Sequence, residues 1–138
     1  MTEQRQRGKK MIGDVEKMVA IGLVWGATNA LMRRGALLWD QALQSSSDST
    51  KPFSSLRRWL KLFSIWQYTL PFLLNLTASA TFFAILSDAP ISLAVPVTNA
   101  TTFAATAVFG VLLGEDTRVG YALFGTALIG FGVWLCIS

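Results

Sequence analysis

Four long apolar segments without charged residues constrain the fold of this chain more than any other feature. They cover residues 18–32, 68–86, 91–113 and 119–137, and none contains Asp, Glu, Lys or Arg. A lipid bilayer solvates no free backbone polar group, so an apolar segment that crosses it as a single span is a helix. The pattern therefore predicts an all-α fold, an integral membrane four-helix bundle.

The composition and charge agree with a membrane protein. Of the 138 residues, 52% are hydrophobic and 14% are charged, whereas a soluble domain is usually about 25% charged. The net charge is +4, and the basic residues flank the apolar segments, where anionic headgroups attract them. No base-stacking or groove-reading motif accompanies this charge. We therefore expect a lipid bilayer and not a nucleic acid as the partner.

The sequence offers little chemistry for catalysis or metal binding. It contains no His, which removes histidine-based acid–base catalysis and histidine metal ligands. The one cysteine, Cys136, cannot form an internal disulfide and is interpreted as a packing or lipid-facing residue. No nucleophile–base pair is recognisable. The sequence predicts no enzyme activity, no metal and no cofactor.

The chain is interpreted as one membrane domain with polar segments at its start and in its first loop. Residues 1–13 are predicted to be a mobile basic tail, and residues 14–138 the membrane domain. The stretch 40–55 is predicted to be a polar linker, because its serine-rich sequence has too few apolar residues to form a hydrophobic core. A cleaved signal peptide is the alternative for the first segment, but Arg33 and Arg34 follow it at once. The expected spans are residues 15–36, 66–87, 90–114 and 118–137.

Residues 53–67 have the pattern of an amphipathic helix. Apolar residues recur there at three- and four-residue steps, with basic residues between them. Such a helix in the first loop lies in the membrane interface, with Trp59 and Trp66 at headgroup level. A helix that docks a partner protein is the alternative.

Polar residues within the apolar segments are the candidates for function. Each of the first three segments contains one asparagine, and each asparagine shares a helical face with small or polar residues. Such faces turn away from lipid. They either hold helices together through hydrogen bonds or line a cavity for a polar or amphiphilic substrate. The candidate lining residues are Trp25, Asn29, Asn75, Ser79, Pro96, Asn99, Thr102 and Thr106.

Glycines at helical spacing predict close helix contacts. Gly22, Gly26 and Ala30 recur every four residues, and this small-xxx-small spacing lets two helices approach closely. The last segment is also rich in glycine. The predicted helix-packing positions are Gly22, Gly26, Gly110, Gly125 and Gly130.

No carboxylate lies inside an apolar segment, since all eight acidic residues fall outside them. A proton-driven exchanger needs a titratable group that substrate and proton can share, usually an intramembrane carboxylate. Glu115 is the acid closest to the bilayer and is interpreted as a solvated or capping residue. The sequence therefore argues against proton-coupled cation export.

The last two segments resemble the closing helical hairpin of the drug/metabolite transporter superfamily (EamA-like). The resemblance rests on Pro96, on the turn Leu113-Gly114-Glu115 and on Gly125. Within that superfamily the chain is most similar to the transmembrane protein 234 family. The similar blocks are VWGATNALMRRG (24–35), LPFLLN (70–75), LAVPVTN (93–99) and LLGED (112–116).

This resemblance implies a small multi-pass membrane protein with a transporter-like helix arrangement, in which Gly114 and Glu115 form the family turn. It supplies no substrate. The four-helix multidrug pumps of the superfamily carry an essential carboxylate whose place falls near Trp25, so this chain departs from their pattern. Larger members have about twice as many helices around a midplane site, and a homodimer or larger membrane assembly is therefore expected here.

Two functions remain open. One is a dimeric carrier of a small polar or amphiphilic metabolite, in which Pro96 provides a bend and Trp25 stacks or gates. The other is a non-transporting structural or accessory subunit, in which the amides only join helices. The nearly balanced basic flanks bias the first loop weakly to the cytosol. The modest apolar lengths favour an internal membrane slightly, without identifying it.

Overall fold

The computed structural model describes residues 2–44, 60, 64–116 and 118–137. This part of the chain consists of helices and turns and contains no strand, which confirms the all-α prediction for it. Two helices, α2 and α3, are long and apolar enough to cross a membrane. The four helices are α1 (Thr2–Gln44), α2 (Trp66–Leu86), α3 (Ile91–Leu112) and α4 (Val119–Ile137).

Helix α1 is longer than the sequence pattern predicts. Its helix continues through residues 2–13, expected as a mobile tail, and through residues 40–44, expected as linker. The first extension contains Gln, Arg and Lys and the second contains Gln, Ala and Leu, all of which favour helix. Extending an existing helix is also easier than nucleating one. Gly8 and Gly13 each cost about 1 kcal/mol relative to Ala, which this extension tolerates.

The first loop is described only in part. Residues 45–59 and 61–63, which hold most of the predicted linker and of the amphipathic segment 53–67, lie outside the described residues. Ile65 has an extended backbone (φ −82°, ψ 105°), and α2 begins directly after it at Trp66. The predicted amphipathic helix therefore stays a prediction.

The bounds of the last three helices lie within two residues of the predicted spans. Pro90 precedes α3 in an extended conformation (φ −62°, ψ 129°) and sets its start. Helix α3 ends in a Schellman motif, in which the Glu115 N–H donates to the Gly110 carbonyl (3.0 Å) and the Gly114 N–H to the Val111 carbonyl (3.0 Å). Gly114 has a φ of +83°, a conformation that favours glycine.

Helix α1 is the centre of the assembly, since it packs against both α2 and α3, while α4 packs against α3. A Cβ built on Gly22 would lie 2.6 Å from the Thr101 Cβ, and one built on Gly26 would overlap Ala105. The two glycines therefore lie directly against α3. Because the later glycine on α1 contacts the later residues on α3, α1 and α3 run parallel.

The apolar core closes one end of the bundle. Met18 on α1 is fully buried with Ala89, Ala94 and Val97 around the turn between α2 and α3. Much of the remaining apolar surface is exposed, as for Tyr121 on α4 at 73%. Extended exposed apolar surface is unusual for a soluble monomer and typical of membrane or protein contact.

Candidate functional site

Helices α2 and α3 occupy different faces of α1. Gly22 and Gly26 mark the α3 face, whereas Trp25 and Thr28 bond to α2. At 100° per residue these faces lie about a third of a turn apart. Helices α2 and α3 therefore do not pack along their lengths, although they meet near their connecting turn. We call the space between α2 and α3 beside α1 the α2/α3 cleft. The polar residues that helical spacing directs toward it are Asn29, Asn75, Ser79, Asn99, Thr102 and Thr106.

Asn75 is the polar residue that joins α1 to α2. Its Nδ2 donates to the Thr28 Oγ1 at 2.9 Å and to the Asn29 Oδ1 at 3.3 Å. Its backbone carbonyl accepts from the Trp25 Nε1 at 3.3 Å and from the Ser79 hydroxyl at 2.9 Å. Four of the candidate residues from sequence are thus brought together at one contact.

Thr28 belongs to this contact and was missed by the sequence pattern. Its side chain is buried, at 3% exposure, and its hydroxyl lies 2.7 Å from the Val24 carbonyl, to which it donates. The hydroxyl proton is therefore directed to its own helix, and the oxygen accepts from Asn75. The available signal was spacing, because Thr28 follows Trp25 by three residues and so shares its face.

Asn29 lies between the α2 and α3 faces of α1. It accepts the long bond from Asn75, yet its side chain remains exposed. Its Nδ2 donates to none of the residues that the structure describes. This amide therefore faces the α2/α3 cleft with free donors.

Helix α3 forms the other wall of the cleft. Buried Thr98 and Ala105 face α1, and Asn99 and Thr106 each follow one of them by one residue. That step rotates them by 100°, and for a right-handed helix parallel to α1 the rotation is toward the α2 side. The Thr102 and Thr106 hydroxyls donate to carbonyls one turn back, at 2.8 and 2.7 Å, so their oxygens can still accept.

Asn99 differs from the other two asparagines, because it is exposed and bonds to no side chain among the described residues. The contacts of the glycines with α3 give its level. Gly22 lies against Thr98 and Thr101, and Gly26 lies against Thr106, so Asn99 is about level with Gly22. At 1.5 Å per residue, Asn29 and Asn99 are separated by roughly 10 Å along the helices.

Pro96 on α3 and Trp25 on α1 are the predicted bend and the predicted gate. Pro96 is partly buried inside α3 and cannot donate to the Ser92 carbonyl one turn back. Helix α3 continues through it, and the predicted bend stays a prediction. The ring of Trp25 contacts that of Phe82 on α2, with centroids 5.2 Å apart and planes at 55°.

An ion pair links α1 to the turn after α3. It lies about one helical turn beyond Asn29 along α1. The Arg33 Nη2 lies 2.5 Å from the Glu115 Oε1, with side-chain exposures of 66% and 32%. Glu115 is therefore partly exposed and also paired with Arg33, a partner that the sequence pattern did not indicate. A Cβ on Gly110 would lie 2.9 Å from the Glu115 Oε2, so Gly110 makes room for this carboxylate instead of for another helix.

The glycines of α4 have open surroundings. No described atom lies within 4 Å of a Cβ built on Gly125 or Gly130. Their predicted packing role therefore has no partner in the described chain and stays a prediction for contact with another molecule.

Two further observations concern metal binding and a groove along α1. Among the described residues, no group of three or more His, Cys, Asp or Glu residues could hold a metal ion. A groove of about 480 Å³ runs along the amino-terminal half of α1, away from Asn29 and Asn99. Apart from Glu16 its lining is apolar, and it includes Met11, Ile12, Val15, Val19, Ala20 and Leu23.

The sequence is similar to known proteins over nearly its whole length. A family described as "Putative transmembrane family 234" matches residues 18–137. A transmembrane protein 234 homolog from Dictyostelium discoideum is 32% identical over 125 residues, which cover 91% of this chain and 94% of the relative. A transmembrane protein 234 homolog from Anopheles gambiae is 31% identical, over 88% of this chain and 84% of the relative. No solved structure matches.

Proposed function

This chain belongs to the transmembrane protein 234 family, and from that premise we propose a multi-span membrane protein that carries a small polar or amphiphilic molecule through the α2/α3 cleft. Helices α2 and α3 are long and apolar enough to cross a membrane. The uncharged part of α1, residues 18–32, and α4 would complete four spans of alternating direction. The charged extensions of α1 would then lie outside the bilayer.

The observation that carries this proposal is the exposure of two amides on neighbouring helices, Asn29 on α1 and Asn99 on α3. An amide that faces hydrocarbon without a partner is costly, so such groups are normally paired or line a polar cavity. By helical spacing, both would lie on faces directed to the cleft. Water or a polar ligand there would satisfy them.

Movement of α2 would provide alternating access. Helices α1 and α3 are locked by the contacts of Gly22 and Gly26 with α3 and by the ion pair of Arg33 with Glu115. Helix α2 is attached to α1 through the bonds of Asn75 and does not pack along α3. Rocking of α2 would open the cleft, and the contact of Trp25 with Phe82 would gate it.

A dimer fits this proposal. One copy leaves the cleft open along α2 and α3, and a second copy would enclose it, as in the doubled architecture of the drug/metabolite transporter superfamily. The glycines of α4 would supply one contact surface. Proton coupling through Glu115 is not part of the proposal, because that carboxylate is paired with Arg33.

A non-transporting accessory subunit is the second candidate. The observation in its favour is Asn75, whose amide is used to join α1 and α2. On this reading the asparagines serve only helix assembly.

Replacing Asn99 by Leu separates the two candidates. Because Asn99 has no side-chain partner among the described residues, the variant should fold and insert normally. A carrier should lose ligand-induced thermal stabilisation, found by screening purified, reconstituted protein against polar and amphiphilic solutes. An accessory subunit should show no such stabilisation in wild type or variant. Asn75→Leu is the matched control, which should weaken helix assembly on either reading.

A further inference from the structure

We infer that the α2/α3 cleft selects an uncharged, polyhydroxylated solute, held in turn at two amide positions. One position is formed by Asn29 with Asn75, and the other by Asn99. This inference rests on the proposed function and narrows its substrate class.

The cleft is lined by no charged side chain, and this lack of charge disfavours ions. Every polar side chain that lines it is an amide or a hydroxyl, and residues 18–32, 68–86 and 91–112 contain no charged side chain. Arg33, which follows the uncharged part of α1, and Glu115, which follows α3, neutralise each other. An ion inside a low-dielectric cleft without a countercharge carries a large desolvation cost.

The free hydrogen-bonding groups in the cleft include both donors and acceptors. Asn29 accepts through its oxygen and retains its Nδ2 donors, while Asn99 retains both its carbonyl and its amino group. The Thr102 and Thr106 hydroxyls donate to their own helix and retain acceptor capacity. A solute hydroxyl is both donor and acceptor, so several hydroxyls on one solute match this mixed lining.

The two amide positions are separated by roughly 10 Å along α1 and α3, from the rise of 1.5 Å per residue. Thr102 lies between them on the same side of α3. A small solute cannot occupy both positions at once. The arrangement suits transfer from one position to the next, with Thr102 and Thr106 as intermediate acceptors.

Three probes of similar size and different charge test this inference in proteoliposomes: glucose, gluconate and glucosamine. Glucose should enter about tenfold faster than either charged probe, the ratio that corresponds to about 1.4 kcal/mol. Asn99→Leu should reduce glucose entry about tenfold, whereas Asn99→Gln, which keeps the amide, should retain most of it. Thr77→Val is the matched control. Thr77 is exposed on α2 and donates to its own helix at 2.8 Å, so its loss should leave entry unchanged.

The possible failures are distinguishable. Entry of gluconate or glucosamine at the rate of glucose would overturn selection for uncharged solutes and leave carriage standing. Equal glucose entry through Asn99→Leu and wild type would overturn the assignment of Asn99. If none of the three probes entered through folded, inserted protein, this inference would be overturned. The proposed function would be overturned only if the thermal-stabilisation screen also found no polar or amphiphilic ligand.

Discussion

Arg33 and Glu115 form an ion pair, with 2.5 Å between Nη2 and Oε1, that joins the end of the uncharged part of α1 to the turn after α3. The Schellman motif at Gly114 directs the chain so that Glu115 turns back beside Gly110. With the glycine contacts further along, this pair fixes α1 and α3 at two levels. Parallel helices held at two levels form a rigid frame beside which α2 can move.

Breaking this pair should have a small effect on stability. Both side chains are partly exposed, and exposed ion pairs contribute about 0–1 kcal/mol. Arg33→Ala and Glu115→Ala should each lower the thermal unfolding midpoint slightly in detergent solution. The double variant should lose less than the sum of the two single losses, and the reversed pair Arg33→Glu with Glu115→Arg should recover part of the loss. Independent, additive losses without recovery would show that the pair does not couple the two helices.

Gly26→Ala should destabilise the chain much more. A Cβ at this position overlaps Ala105 and would lie 2.8 Å from the Thr106 nitrogen, which is backbone and cannot move aside locally. Overpacking of this kind typically costs about 1–3 kcal/mol. The free energy of unfolding in detergent micelles measures it.

Gly130→Ala provides the matched control for Gly26→Ala. Position 130 lies in α4 with open surroundings, and Ala favours helix over Gly by about 1 kcal/mol. Its stability should be unchanged or raised. If both substitutions had equal effects, close contact at Gly26 would not be what holds α1 to α3.

Asn75→Leu should weaken the contact between α1 and α2. It removes the two bonds from Nδ2 to Thr28 and Asn29, and hydrogen bonds between membrane helices contribute on average ~0.6 kcal/mol each. The midpoint of thermal unfolding should fall measurably, while Thr77→Val should leave it unchanged because that hydroxyl bonds only within α2. A fall of the same size in both variants would indicate a general effect of polarity rather than a loss of interhelical bonds.

Thr98→Val should stabilise the protein. Thr98 is fully buried against α1, and its hydroxyl has no hydrogen-bond partner among the residues that the structure describes. An unsatisfied buried polar group costs about 1–3 kcal/mol, and Val has nearly the same shape. The free energy of unfolding, measured at equilibrium, should be higher for the variant than for the wild type. A loss of stability would mean that the hydroxyl is bonded after all.

Hydrophobic patterning predicted helices α2, α3 and α4 well, because each is an uninterrupted apolar run between turn residues. It underestimated α1 at both ends. There the helix leaves the apolar run and continues through charged and polar residues, for which periodicity gives no signal. Helix propensity and continuation from an existing helix decide such ends.

The cleft was predictable in composition but not in geometry. Spacing showed that Asn75 shares a face with Ser79, yet it could not show that Asn75 bonds Thr28 while Asn99 bonds no described side chain. That difference arises because α2 and α3 contact α1 on faces set by Gly22 and Trp25. The pairing of Glu115 with Arg33 was hidden as well, since 81 intervening residues separate them in sequence.

Thiol labelling at Asn99 tests the central claim, that the α2/α3 cleft is a polar passage. Cys136 is the one cysteine of the sequence, so Cys136→Ser gives a background for single cysteines. In proteoliposomes, Asn99→Cys should react rapidly with a small, water-soluble thiol reagent. Leu73→Cys, on an exposed face of α2 directed away from α1, should be protected by lipid. Equal protection of both cysteines would contradict the account, because Asn99 would then face hydrocarbon and not the cleft.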